Sequence, residues 1–208
     1  WARTTLFAID GHWGENTSTD LVLTAYHQDK SPSKPIRMGV STWRRSADVS
    51  LPPRVKTGSN YEVSRLARIE GRTRGCDDMI LLNPSGRVAE ATASCILMVR
   101  GDTVYTPPPS EGALESITVD AVESIASSLG IVLIRRPIDR TELLIADELA
   151  ICGTLHEITV ATSIDGFALS EKSPILGAIQ RRYLDAVRGM NPHPAIELTS
   201  LPSVRGKQ

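Results

Sequence analysis

Four short stretches carry side chains able to do chemistry. Lys56 ends the extended run in LPPRVKTGSNYE (51–62), just before a turn. A lysine there is a solvated cation unless its surroundings lower its pKa, in which case the amine becomes a nucleophile. Glu90 lies in RVAEATAS, at the end of an otherwise apolar strand, and taken alone is an edge-strand charge. Ser116-Ile117-Thr118 opens a helical pattern. Free backbone N–H groups at such a start suit an anion, although Ser116 is an adequate N-cap with no ligand at all. Thr154 sits in AICGTLHEIT, a Gly-Thr step between two strands, which by itself is only a turn.

The elements that must position these residues follow from the residue pattern. LFAI (6–9), TDLVLTAY (19–26) and IRMGVST (36–42) read as strands, with HQDKSPSKP (27–35) a polar loop between the last two. YEVSRLARIEGRTRG (61–75) reads as a helix stopped by Gly75. DMILLN and RVAEA flank Asn83-Pro84-Ser85-Gly86, a turn because Pro presets φ and Gly tolerates positive φ. CILMV (95–99) and TVYT form a second hairpin. SITVDAVESIASSLG (116–130) is a helix capped by Ser116 and ended by Gly130, and IVLIRRPI (131–138) is a strand. Asp139 and Glu142 open a short helix as a capping box. ELAICG and EITVATSIDG are strands, 173–189 is an amphipathic helix, and the Pro-rich stretch from 191 to 208 is a loose tail. Hairpins with segregated helices point to an α+β fold. Lys56 is thereby placed at a strand-to-turn junction.

Bulk properties narrow the function. The chain has 208 residues, is 41% hydrophobic and carries a formal net charge of -1, so no basic footprint argues for nucleic acid. Its apolar runs are too short for a membrane span. Cys76, Cys95 and Cys152 are far apart and lack metal-ligand spacing. A sparse, odd cysteine count fits a reducing cytoplasm. GxGxxG, P-loop, HExxH and GxSxG motifs are absent.

Read together, the segments resemble the large domain of fold-type IV pyridoxal-phosphate enzymes, the branched-chain aminotransferase family and its relatives. The resemblance rests on WARTTLF, KTGSNY, GRVAEATAS, TPPPSEGALESIT, ADE and CGTLHEI, in order and in register: Tyr61 is five residues after Lys56, Glu90 is 34 and Thr154 is 98. It implies a mixed-sheet pseudo-barrel with flanking helices, over residues 1–190. It also implies a pyridoxal 5′-phosphate cofactor, amino acid and 2-oxo acid substrates, and a homodimer.

The resemblance assigns roles residue by residue. Lys56 matches the Schiff-base lysine, which then shuttles a proton on the substrate. Glu90 matches the carboxylate that keeps the pyridine nitrogen protonated, and Tyr61 the partner of the phenolic oxygen. Ile117 and Thr118, opened by Ser116, match the backbone phosphate donors, with Thr154 adding a hydroxyl. Leu114 matches a residue packed on the cofactor ring. Leu155, after Thr154, matches backbone that holds the substrate carboxylate, and Arg3 an arginine that binds a substrate side-chain carboxylate.

The chain departs from the family pattern in several places. Ser116 replaces the usual Gly, Cys95 the usual Asn and Val160 the usual Pro. Relatives carry a smaller amino-terminal domain that supplies a phosphate arginine, and the strand-like start at Trp1 leads us to expect such a domain upstream. A lyase of the aminodeoxychorismate type, a D-amino acid or amine transaminase, and a non-catalytic large-domain remnant are the alternative readings of the same scaffold.

Overall fold

The computed structural model describes residues 1–12, 14–27, 34–170 and 172–200. They fall into two compact units, Trp1–Pro32 and Ser33–Gln208. Most of the loop expected at 27–35 lies outside the described residues.

The first unit is a two-stranded antiparallel ribbon. β1 (Ala2–Ala8) pairs with β2 (Thr19–Ala25), Ala2 opposite Ala25 and Ala8 opposite Thr19. Trp1 stacks on Tyr26 at its open end, ring centroids 4.3 Å apart. Both strands expose apolar side chains, among them Leu6, Leu21 and Leu23.

The second unit is built on one mixed sheet. Its strands are β3 (Ile36–Arg44), β4 (Asp78–Leu82), β5 (Val88–Ala91), β6 (Cys95–Arg100), β7 (Thr103–Thr106), β8 (Val132–Arg135), β9 (Glu148–Gly153), β10 (Glu157–Ile164) and the short β11 (Phe167–Ala168). The order is β5-β4-β3-β10-β9-β6-β7-β8, with β11 on β10. The β3–β4, β3–β10 and β7–β8 pairs are parallel and the others antiparallel. β5 and β6 stand far apart in that order, yet only residues 92–94 join them, and Ala91 N donates to Ser94 O at 2.7 Å. The sheet must therefore curl so that its β5 edge returns beside β6, which produces the expected pseudo-barrel.

Three helices cover the outside: α1 (Asn60–Thr73), α2 (Ile117–Ser128) and α3 (Pro174–Val187). The run CILMV is apolar without alternation because both faces of β6 are buried. Cys95, Leu97 and Val99 face α2 and α3, whereas Ile96 and Met98 face the interior with Met38, Ile80, Val88 and Leu149. α1 packs on Met79 and Leu81 of β4 through Ala67. The approach is close: a Cβ on Gly71 would lie 2.7 Å from Met79 Cγ.

The expected stops are present. Gly75 and Gly130 adopt φ of 70° and 72° just past α1 and α2, where only a residue tolerant of left-handed backbone ends a helix cheaply. Three expectations change. The strand at 131–138 shortens to β8. Residues 140–145 form a 3-10 turn rather than an α-helix, although the Asp139–Glu142 capping box is made. Residues 191–200 carry no helix or strand but are tied down: Arg182 donates to the carbonyls of Asn191 and Pro192 at 2.7 and 3.0 Å, and His193 is buried.

Glu142 locks the 3-10 turn to the sheet. Arg136 grips it with two bonds, at 2.9 and 2.6 Å, and the Asp139 N–H adds a third at 3.0 Å. The Arg136 bonds hold its pKa down at about 2, from an ordinary 4.5. A carboxylate depressed in the folded state contributes stability above its unfolded pKa and loses it as pH falls through the folded one. Glu142→Gln should therefore remove roughly 1–3 kcal/mol near neutral pH and flatten the loss of stability between pH 4.5 and about 2. Denaturant midpoints measured across that range check this; an unchanged slope in the variant would contradict it.

Candidate active site

Glu90 is the third residue of β5, all four residues of which are buried, so it is not an exposed edge-strand charge. A carboxylate in such a place needs partners. Arg45, itself 5% exposed, supplies Nη2 at 3.1 Å, and the Leu114 N–H donates at 2.9 Å. Burial pushes the Glu90 pKa up. Arg45, the Leu114 N–H and the Lys56 ammonium, in that order, pull it back. Lys56 therefore lies within electrostatic reach of Glu90.

Lys56 is not at a strand end. β3 stops at Arg44, and residues 45–59 are irregular backbone and turns. Two prolines in LPPRVK forbid a sheet ladder there, because neither has an N–H to donate. What holds this backbone is Asn60, the first residue of α1. Its Nδ2 donates to the carbonyls of Pro52 and Val55, both at 3.0 Å. Tyr61 follows in the first turn of α1, half-buried.

The Leu114 to Thr118 segment arrives from the other side. Cys95 begins β6 and its Sγ lies 3.8 Å from Leu114 O. The thiol also meets the Ser116 side chain, while burial and Glu90 raise its pKa to about 11. Cys95 is thus a protonated packing residue where the family pattern has Asn. Ser116 caps α2, its Oγ accepting from Val119 N at 3.3 Å. Its carbonyl takes the Asp120 N–H at 3.1 Å. Among the described residues no protein acceptor takes the Ile117 and Thr118 amides, which remain for an outside anion at the positive end of the helix. Thr118 itself is buried at that helix start.

Thr154 and Leu155 form the tip between β9 and β10 and are exposed. Cys152 pairs directly with Cys95 across β9 and β6, which places the tip at the same end of the sheet as Leu114 and Ser116. His156 points back inward, its Nδ1 2.8 Å from Ser94 Oγ. Burial lowers its pKa, with Asp78 opposing and Arg68 adding. Glu90, Leu114 and Cys95 are thus linked by direct contacts, and Lys56 lies in electrostatic reach of Glu90. Ser116, Ile117 and Thr118 follow Leu114 in the chain, Tyr61 follows Lys56, and Thr154 and Leu155 lie at the same end of the sheet. Arg3 lies on β1 in the first unit, its carbonyl 3.4 Å from Thr24 Oγ1. Arg45, Asn60 and His156 were not singled out from the sequence. Groups of His, Cys, Asp and Glu able to hold a metal are absent among the described residues.

The comparisons agree with this geometry. The family model for class IV amino-transferases matches residues 3–164. A probable branched-chain-amino-acid aminotransferase of Synechocystis sp. is 42% identical over 148 residues, 71% of this chain and 48% of its own length. The branched-chain-amino-acid aminotransferase of Escherichia coli is 31% identical over 200 residues, 91% of this chain and 65% of its own. Two solved structures superpose with TM-scores of 0.86: a branched-chain aminotransferase from Thermoproteus uzoniensis with norvaline (34% identity) and one from Thermobaculum terrenum in its PLP form (33%). They cover 90% and 91% of this chain, which in turn spans 64% of each. The chain thus spans about half to two thirds of the length of these relatives. With the matched region embracing every site residue from Lys56 to Leu155, the chain belongs to the class IV aminotransferase family.

Proposed function

We propose that this protein is a pyridoxal-phosphate-dependent aminotransferase moving an amino group between a branched-chain-like amino acid and a 2-oxo acid. The observation that carries the reading is Glu90: a carboxylate kept buried on the edge strand of the sheet, with a lysine in electrostatic reach. The names of the relatives support the substrate class.

The residues fit the cofactor. The Ile117 and Thr118 amides at the start of α2, without a protein acceptor among the described residues, suit its phosphate, with the Thr154 hydroxyl at the same end of the sheet. The buried Glu90 carboxylate suits a protonated ring nitrogen. Tyr61 is placed to meet the phenolic oxygen, and Leu114 to pack on the ring. When bound, the cofactor supplies a ring that accepts the electron pair released at the substrate Cα. Glu90 holds the proton on the ring nitrogen, and Lys56 carries the proton at Cα. Leu155 backbone receives the substrate carboxylate, and the resemblance alone assigns Arg3 a second one. By the family resemblance, residues 1–190 are assigned to the cofactor-binding domain and 191–208 to a tail. The three free cysteines, two of them facing each other across β6 and β9 without a disulfide, fit work in the reducing cytoplasm. No helix among the described residues is long and apolar enough to cross a membrane.

Lys56→Ala in the full chain should lower transamination by at least about 10²-fold while the far-ultraviolet circular dichroism stays unchanged. Near-native turnover in that variant would remove Lys56 from the chemistry. The exposed apolar ribbon β1–β2 has no core of its own, and two strands alone are marginal in water. The family resemblance supplies the cover in the form of a second copy, and we take the protein to be a homodimer. Light scattering at micromolar concentration should give twice the subunit mass, and a monomer there would contradict the assembly.

A further inference from the structure

Arg45 is the most heavily engaged side chain near the site. Its Nη2 pairs with Glu90 at 3.1 Å, its Nε donates to Gly112 O at 3.2 Å and its Nη1 to Asn60 O at 3.1 Å. Its own N–H donates to Leu82 O at 2.9 Å, fixing the backbone where β3 ends. Each nitrogen of the guanidinium thus reaches a different segment. Gly112 leads to Leu114, whose N–H holds the other Glu90 oxygen. Asn60 leads to the 52–55 backbone just before Lys56.

The groups facing Glu90 are Arg45, the Leu114 N–H, the Lys56 ammonium and the Cys95 thiol. Among the described residues, two of these are cations. A lysine that serves as nucleophile and proton carrier must spend part of each turnover neutral. It cannot be the standing counter-charge of a buried carboxylate. A guanidinium never deprotonates in a protein, so Arg45 can. A buried carboxylate without such a partner takes up a proton and loses its hold on a protonated ring nitrogen.

Resting on the pyridoxal-phosphate reading above, we propose that Arg45 is a positioning residue for this site: it keeps Glu90 ionised toward the cofactor ring nitrogen and, through Asn60, fixes the backbone that delivers Lys56.

The test is binding, not turnover. The full chain, freed of cofactor, is titrated with pyridoxal 5′-phosphate and with its 1-deaza analogue, in which carbon replaces the ring nitrogen. The wild type should prefer the nitrogen-bearing cofactor by at least about tenfold, the value of one charge-assisted hydrogen bond. Glu90→Gln should abolish that preference. Arg45→Met should abolish it equally, with Glu90 still present, and Arg45→Met/Glu90→Gln should lose nothing more. Arg45→Lys, which keeps the charge without the fork, should retain the preference. If Arg45→Met does not fold, Arg45→Gln, neutral but able to donate, takes its place with the same expectation. Wild-type preference in the neutral variant overturns the proposal while leaving the cofactor assignment standing. Failure of the wild type to bind pyridoxal 5′-phosphate overturns both.

Discussion

The site depends on one buried ion pair, Arg45 with Glu90. Two charges withdrawn from water are costly, and attraction compensates only when geometry is good and the remaining polar atoms are satisfied. Both conditions hold. Glu90 uses one oxygen for Arg45 and the other for Leu114 N–H. Arg45 spends its other nitrogens on Gly112 and Asn60 carbonyls. A hydrophobic pair of similar volume would fold as well or better, so the pair contributes placement more than stability. It fixes two irregular segments, 45–59 and 112–114, together with the strand β5 and the start of α1, to a common point.

That point exists because the sheet curls. Parallel pairing of β3 with both β4 and β10 places their ends together, and the short 92–94 link draws β5 back beside β6. Helices then cover the outside while β6, β9 and β4 bury both faces. Rigid strands carry Glu90 and the base of the Thr154 tip. Lys56 comes from a segment that cannot join the ladder, and its backbone is held by side chains instead. Side-chain bonds to carbonyls substitute there for the hydrogen bonds a strand would supply.

Sequence legibility followed the range of the interaction. The Ser116 cap, the Gly75 and Gly130 stops, the turn at 83–86 and the Asp139–Glu142 box are local devices, and each could be read within a few residues. The family resemblance added the register of Lys56, Tyr61, Glu90 and Thr154. Arg45 was not legible, because its partners lie 15, 45 and 67 positions away and no periodicity marks such pairing. The strand end expected at Lys56 failed for the opposite reason. The extended Pro-Pro run was read as a ladder strand, when proline lacks the donor a ladder needs.

The Thr154 tip shows how a turn is made rigid without regular structure. Glu157 holds φ at 51°, a left-handed backbone that costs a non-glycine residue free energy. Such strain persists where the surroundings over-determine the conformation. Arg188 of the chain just past α3 holds the Glu157 carboxylate at 3.2 Å, Thr159 Oγ1 donates to His156 O at 2.9 Å, and the His156 ring meets Ser94 at 2.8 Å. Ser94 lies four residues after Glu90, so the last of these bonds ties the tip to the same segment that carries the buried acid. The two ends of a bound substrate, its reacting carbon and its carboxylate, would then be positioned by one connected framework. A shift in either part would be felt in the other.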